Sequence, residues 1–223
     1  HDLLRLSVSR KILLSCYLTG KLPFRIIYLH RLLKGADGQK MSKSLGNAVS
    51  LECYLEKFGA DVTRMALVSY TTLPEDFVFE EERLIFFQKF SERLWDMGKI
   101  VSLADEYSPE FSESLQLALD DKKILQTLDG LAVSVGLNIE RYSFAQAQER
   151  VFGFLSYLED YAHGMKIRGN VHISLSVLRH VYHKYLIILH PFMPFMTEEL
   201  NAELYDPTSP LAISSWPNNT KRA

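Results

Sequence analysis

From Glu80 onward the apolar residues recur at helical rather than strand spacing. Leu84, Phe87, Leu94 and Ile100, with Trp95 beside them, predict an amphipathic helix running to about Leu103 and closed by Tyr107-Ser108-Pro109. A second helix is predicted over roughly Leu117–Tyr142 and a third over roughly Phe144–His163. The stretch from Gly164 to Asn170 breaks the pattern with two glycines. A fourth helix runs about Ile173–Leu189, ends at His190-Pro191, and hands over to a short one near Pro194–Leu204. Such helices make a bundle with a Leu/Phe/Tyr core. The cluster Phe192-Met193-Pro194-Phe195-Met196 reads as core around a helix break. The tail after Asp206 reads as loop, with one docked segment near Ile213–Trp216.

The N-terminal part alternates between element types. Residues 2–18 predict a helix in which Leu3, Leu6, Ile12, Leu13 and Cys16 share an apolar side, with Gly20 as the stop. The run Ile26-Ile27-Tyr28-Leu29, within Arg25–His30, predicts a short buried strand. A glycine-punctuated loop follows. Helix, strand and loop in this order form the closing portion of a nucleotide-binding α/β sheet, whose ligands sit beyond the strands' carboxyl ends. Ser50 can cap a helix over Leu51–Phe58 that stops at Gly59, and Asp61–Ser69 offers another. Pro74 interrupts the chain, and Asp76–Phe79 is predicted to be extended. The fold class is therefore mainly α: the end of a Rossmann-like domain, then a helical bundle.

Charge sharpens this division. The net charge is −2, yet residues 1–45 carry nine Lys/Arg against Asp2 and Asp37, a balance of +7. A basic segment around a glycine-rich loop suits an anionic substrate, nucleotide or nucleic acid. Between Asp160 and Glu198 there is no acidic residue, while Lys166, Arg168, Arg179 and Lys184 fall there with five histidines. That stretch is either a nucleic-acid-facing surface or an ordinary, mildly basic solvent face. At 223 residues and 47% hydrophobic content the chain can bury a proper core. It begins at His1, and its first residues read as the interior of an element, which predicts a piece of a larger protein. No apolar run approaches the roughly 18 residues of a membrane span, so no membrane partner is expected. Cys16 and Cys53 lie in no metal spacing, and buried free thiols are expected, with no metal site.

The candidate chemistry lies in Lys40-Met41-Ser42-Lys43-Ser44, framed by Gly35-Ala36-Asp37-Gly38 and Leu45-Gly46-Asn47. Two lysines three residues apart can reach one polyanion, and serine hydroxyls and freed backbone N–H groups surround them. Such a loop can hold a triphosphate and tighten as charge builds during phosphoryl or adenylyl transfer. A solvated lysine-rich turn is the alternative.

The flanking sequence decides between them. Around the loop come Thr19-Gly20-Lys21-Leu22-Pro23-Phe24, Tyr28-Leu29-His30 and Gly59-Ala60-Asp61-Val62-Thr63-Arg64. Further on stand Asp76-Phe77-Val78-Phe79-Glu80-Glu81-Glu82-Arg83, Leu94-Trp95 and Leu189-His190-Pro191-Phe192-Met193-Pro194-Phe195-Met196-Thr197-Glu198-Glu199-Leu200. In this order the chain resembles the class I aminoacyl-tRNA synthetases, and most closely the valyl branch of the valyl/isoleucyl/leucyl group. The resemblance covers nearly the whole chain. It implies ATP as substrate, with Mg2+, and valine and a valine-accepting tRNA as the other partners of a monomeric cytoplasmic enzyme. Isoleucyl and leucyl enzymes, or a non-catalytic RNA-binding module, are the alternatives.

The resemblance also implies roles. Lys43 would contact the ATP phosphates and stabilise the adenylation transition state, with Lys40 assisting and Met41, Ser42 and Ser44 completing the ATP loop. Asp2 and His30 would lie beside the nucleoside. Arg83, Arg93 and Trp95 would meet tRNA on the helix entering the bundle, together with Lys166, Arg168, Arg179 and Lys184, although Trp95 at its spacing also suits the core. The implied domains are 1–47 (end of the catalytic domain), 48–79 (a stem-contact linker), 80–205 (the anticodon-binding bundle) and 206–223 (a tail). The chain departs from the family at Arg5-Leu6-Ser7, where a Phe-rich face is usual, at Arg31, usually glycine, and at Tyr157-Leu158-Glu159-Asp160-Tyr161, where the tryptophans of a Trp/Asp/Trp-Tyr cluster are missing. The family's other motif, His-x-Gly-His, is absent from these 223 residues, so no adenylation is expected from them alone.

Overall fold

The structure is a computed structural model that describes residues 3–30, 33–35, 38–39, 41, 50–71, 76–103, 111–112, 115–165 and 171–217. Two units separate along the chain, His1–His30 and Arg31–Ala223. In the first, a wide π-type turn over Leu3–Val8 runs into α1, Ser9–Thr19. Gly20 ends α1 in the left-handed region (φ 68°), its N–H returning to the Cys16 carbonyl at 3.0 Å. No α1 residue is buried: Leu13 is 70% and Tyr17 88% exposed. The expected apolar side of this helix thus has no cover within the unit. Residues 25–30 form no strand, and Ile26 to Leu29 are exposed, contrary to the sequence expectation. An apolar run becomes a strand only when a neighbouring strand pairs its backbone groups, and the two described strands, Leu33–Lys34 and Phe77–Val78, pair with each other. The thiols differ from expectation too, since Cys16 and Cys53 are both exposed. Each sits on a face of its helix that the described residues of its own unit leave open.

The second unit begins with a βαβ crossover. β1 (Leu33–Lys34) pairs in parallel with β2 (Phe77–Val78), Leu33 opposite Phe77 and Lys34 opposite Val78. Between them runs α2, Leu51–Ser69, opened by Ser50, whose hydroxyl accepts the Glu52 N–H at 3.2 Å. Gly59 (φ 80°, ψ 169°) breaks α2 where the sequence predicts a stop. Thr63 spans the break by donating its hydroxyl to the Gly59 carbonyl at 2.8 Å. Only the second half of α2 is buried, through Asp61, Val62, Thr63, Met65 and Ala66.

The bundle comprises α3 (Glu81–Ser102), α4 (Leu119–Glu140), α5 (Phe144–Gly164), α6 (Val171–Leu189) and α7 (Pro194–Leu204). Its Leu/Phe/Tyr core matches the pattern read from the sequence, and every helix lies within a few residues of its expected place. The central helix, α6, buries Val177, Leu178, Val181, Tyr182, Tyr185 and Leu186. Burial raises both tyrosine pKa values well above normal. Each hydroxyl finds a helix carbonyl, Leu94 at 2.7 Å for Tyr182 and Val151 at 2.9 Å for Tyr185, so α6 is pinned to α3 and α5. Phe192 and Met193 join the core, but Phe195 is 68% exposed, since Pro194 starts a new helix axis and turns that ring outward. Near the C-terminus a 3-10 turn, Leu211–Ile213, precedes Trp216, whose indole N–H donates to the Ala132 carbonyl at 3.1 Å. No described helix is long and apolar enough to cross a membrane.

α3 packs against α7 at Gly98. A Cβ there would sit 2.8 Å from Leu200 Cδ2 and 3.4 Å from the Tyr182 hydroxyl, both side chains being buried. Gly98→Val is expected to destabilise the protein by about 2–3 kcal/mol through overpacking, read as a lower urea midpoint. An unchanged midpoint would show that α7 can back away.

Candidate functional site

The chain between Gly35 and Ser50 runs from the carboxyl end of β1 to the N-terminus of α2, the place where α/β units bind phosphates. Its described ends are firmly built. Lys34 pairs with Asp76 at 3.7 Å beside the strands. Gly38 (φ 71°) donates to the Gly35 carbonyl at 2.9 Å, and Gly35 to the Gln39 carbonyl at 2.8 Å, which closes a tight turn before the lysines. Met41 is half-buried. Lys40, Ser42, Lys43, Ser44 and Asp2 lie outside the described residues, as do Lys166 and Arg168. His30 is exposed at the end of the first unit. Among the described residues no group of three or more His, Cys, Asp or Glu is arranged to hold a metal ion.

The remaining basic candidates fall on α3 and α6. Arg83 is half-buried, its guanidinium 5.0 Å from the centre of the Tyr70 ring. Arg93 is held by protein: its Nε donates to Glu159 Oε1 at 2.9 Å and Nη2 to the Ser156 hydroxyl at 2.8 Å, with Glu159 Oε2 closing the fork. The hydrogen bond to Glu159 raises its pKa further. Trp95 packs partly buried against the core. Arg179 donates to the Leu204 carbonyl at 2.8 Å and lies over the Tyr205 ring at 4.8 Å, while Lys184 is half-buried further along α6.

A clasp between α2 and the α6–α7 corner has no periodic signature in the sequence. The Asp61 carboxylate accepts the Phe195 and Met196 N–H groups at 3.3 and 2.7 Å, capping α7 from another helix. Arg64 donates to the Pro191 and Phe192 carbonyls at 3.0 and 3.4 Å. Burial pushes the Asp61 carboxyl up, and the two amides pull it back. The only advance sign was that both segments belonged to the resemblance.

His180 on α6 stacks on Phe111 at 4.0 Å between ring centres. Burial, with like-charge repulsion from Lys184 and His183, lowers its pKa to about 4. The fold therefore keeps this imidazole neutral, whereas the unfolded chain takes up its proton near about 6.5. The resulting stability is intact above that value and is lost as pH falls toward about 4. Thermal melts should show a lower Tm at about pH 5 than at about 7.5, and His180→Phe, which keeps the ring stack, should shrink the difference. An identical difference in the variant would assign the pH effect elsewhere.

Residues 1–80 match the family described as tRNA synthetases class I (I, L, M and V), and residues 121–223 match the anticodon-binding domain of tRNA ligase. The chain belongs to the class I tRNA synthetases. Among its synthetase relatives is the valine–tRNA ligase of Clostridium acetobutylicum, 30% identical over 97% of this chain and 26% of that protein. The chloroplastic/mitochondrial valine–tRNA ligase 2 of Arabidopsis thaliana is 32% identical over 99% of this chain and 25% of its own length. The chain thus spans about a quarter of the relatives it matches. Among solved synthetases, the Agrobacterium radiobacter LeuRS in ternary complex with tRNA and LeuAMS shares the fold, with a TM-score of 0.80 at 24% identity over 97% of this chain and 27% of that one.

Proposed function

We propose that the protein containing this chain is a valine–tRNA ligase, which activates valine with ATP and transfers it to the 3′ end of a valine-accepting tRNA. The observation that carries this reading is identity of 30–32% to valine–tRNA ligases over 97% or more of the chain, a span that includes the lysine loop. Lys43 and Lys40 would bind the ATP phosphates, with Ser42, Ser44 and Met41 shaping the loop and His30 and Asp2 beside the nucleoside. Mg2+ would arrive as part of the substrate, held by the phosphates. What this chain does in the reaction is to add positive charge from a loop, where charge on the phosphates grows in the transition state.

The bundle would carry the tRNA. Arg83, Lys184, Lys166 and Arg168 are its cationic candidates, with Trp95 and Arg179 beside them; Arg93 would have to release Glu159 or Ser156 to join. The division at 1–47, 48–79, 80–205 and 206–223 is part of this reading, as are a cytoplasmic location and a monomeric enzyme. Charging a purified tRNA pool with valine, isoleucine and leucine in turn tests it. Valine should be attached far faster than the other two, and valine charged no better than isoleucine would overturn the assignment.

A further inference from the structure

The aromatic rings of α3 and α5 form a stack that leads from the core to the surface. Phe152 stacks on Phe90 at 4.7 Å and 30°, and on Phe86 at 4.7 Å and 25°. Phe90 is 1% exposed and Phe86 is 47% exposed. Phe86 thus keeps one ring face on Phe152 and leaves about half of its surface open to solvent, while Phe87 and Phe90 are buried. Phe86 borders a cleft of 430 Å3 between α3 and α5, within the size range of small-ligand sites. Arg83 lies one helical turn before Phe86 on one wall; on the other, Gln146 and Glu149 lie one turn apart on α5 and are exposed. The cleft therefore has an aromatic floor, a cation at one side and an amide and a carboxylate at the other.

We propose that this cleft binds one unpaired nucleobase of tRNA, stacked on Phe86, with Arg83 near its phosphate and Gln146 and Glu149 at its hydrogen-bonding edge. The inference rests on the tRNA-binding reading above. Stacking on a half-exposed ring is how proteins hold unpaired bases, and a carboxylate can only accept, so Glu149 favours a base edge that presents an N–H. The polar α5 wall speaks against an apolar helix as occupant. Arg83 and Phe86 also lie in residues 81–120, the stretch between the two matched segments, so neither family description assigns them.

The test uses the full-length protein and a valine-accepting tRNA transcript. Abasic nucleotides are placed one at a time at the unpaired positions of the anticodon loop and of the 3′ end. Phe86→Leu, which keeps Phe152 covered, should weaken tRNA binding about tenfold, and Phe86→Trp should restore it. One abasic position should cost the wild type the same factor and cost Phe86→Leu nothing more; that position identifies the base as coming from the loop or from the 3′ end. Glu149→Ala, on the opposite wall and clear of the ring packing, should couple to the same position. Binding by Phe86→Leu within twofold of wild type, or purely additive losses at every abasic position, overturns the site and leaves the ligase reading standing. A wild-type protein that neither binds nor charges the tRNA overturns both.

Discussion

Lys43→Ala in the full-length protein is expected to lower valine-dependent ATP–pyrophosphate exchange by about 10²–10³, the usual loss when one group stabilising transition-state charge is removed. tRNA affinity should stay within about twofold, because in the proposed function the loop would meet ATP and the bundle would meet tRNA. The asymmetry follows from chain geometry. The lysines stand between the carboxyl end of β1 and the capped start of α2, and their anchors at Gly35, Gly38 and Ser50 are backbone and hydroxyl groups that the substitution leaves alone. Lys43→Arg would keep the charge but not the compact ammonium, so partial recovery is expected. Equal loss of exchange and of tRNA binding would mean that the loop is structural instead.

The largest expected stability effect belongs to Asp121, a carboxylate only 1% exposed near the start of α4. Its Oδ1 accepts from the Tyr161 hydroxyl at 2.7 Å and the Ser174 hydroxyl at 2.9 Å, and its Oδ2 from the Ala118 N–H at 2.9 Å. One side chain thus joins α4, α5 and α6 and closes the N-terminus of α4. Asp121→Ala strips a partner from three donors in a region closed to water, at about 1 kcal/mol or more each, for a total of about 3–4 kcal/mol. Asp121→Asn should lose roughly half of that, since its oxygen can still serve the two hydroxyls while its NH2 opposes the Ala118 N–H. Urea denaturation with an unchanged m-value is the measurement. A loss under about 1 kcal/mol for Asp121→Ala would show that water replaces the carboxylate.

The bundle was legible because its information is local. Leu84, Phe87 and Leu94 repeat at helical spacing, and Gly59, Pro109 and His190-Pro191 punctuate the chain. What escaped were features that depend on a distant partner without a local signal of their own. The run Ile26 to Leu29 has strand composition, but composition cannot supply the neighbouring strand. The exposure of Cys16, Cys53 and Phe195 depends on which faces meet, and no periodic signal carries that. The pairs Asp61–Met196, Arg93–Glu159 and Tyr161–Asp121 join residues 135, 66 and 40 positions apart. Of the loop residues, only Met41 lies within the described structure, so Lys40, Ser42, Lys43 and Ser44 rest on spacing and resemblance. The aromatic stack could have been suspected from Phe86-Phe87 and Phe90, but not without Phe152 from another helix.

The clasp at Asp61 bears on where this protein can be taken apart. The first donors of α7 are satisfied by a carboxylate 134 and 135 residues earlier, and Val62, Met65, Ala66 and Tyr70 share one core with the bundle. A protein begun at Glu80 would leave those N–H groups without their cap and bare the apolar face on which α2 rests. One begun just before Ser50 would keep both. Modularity in this molecule therefore follows its hydrogen bonds, and a cut that respects them keeps the helix leading into the bundle from β1.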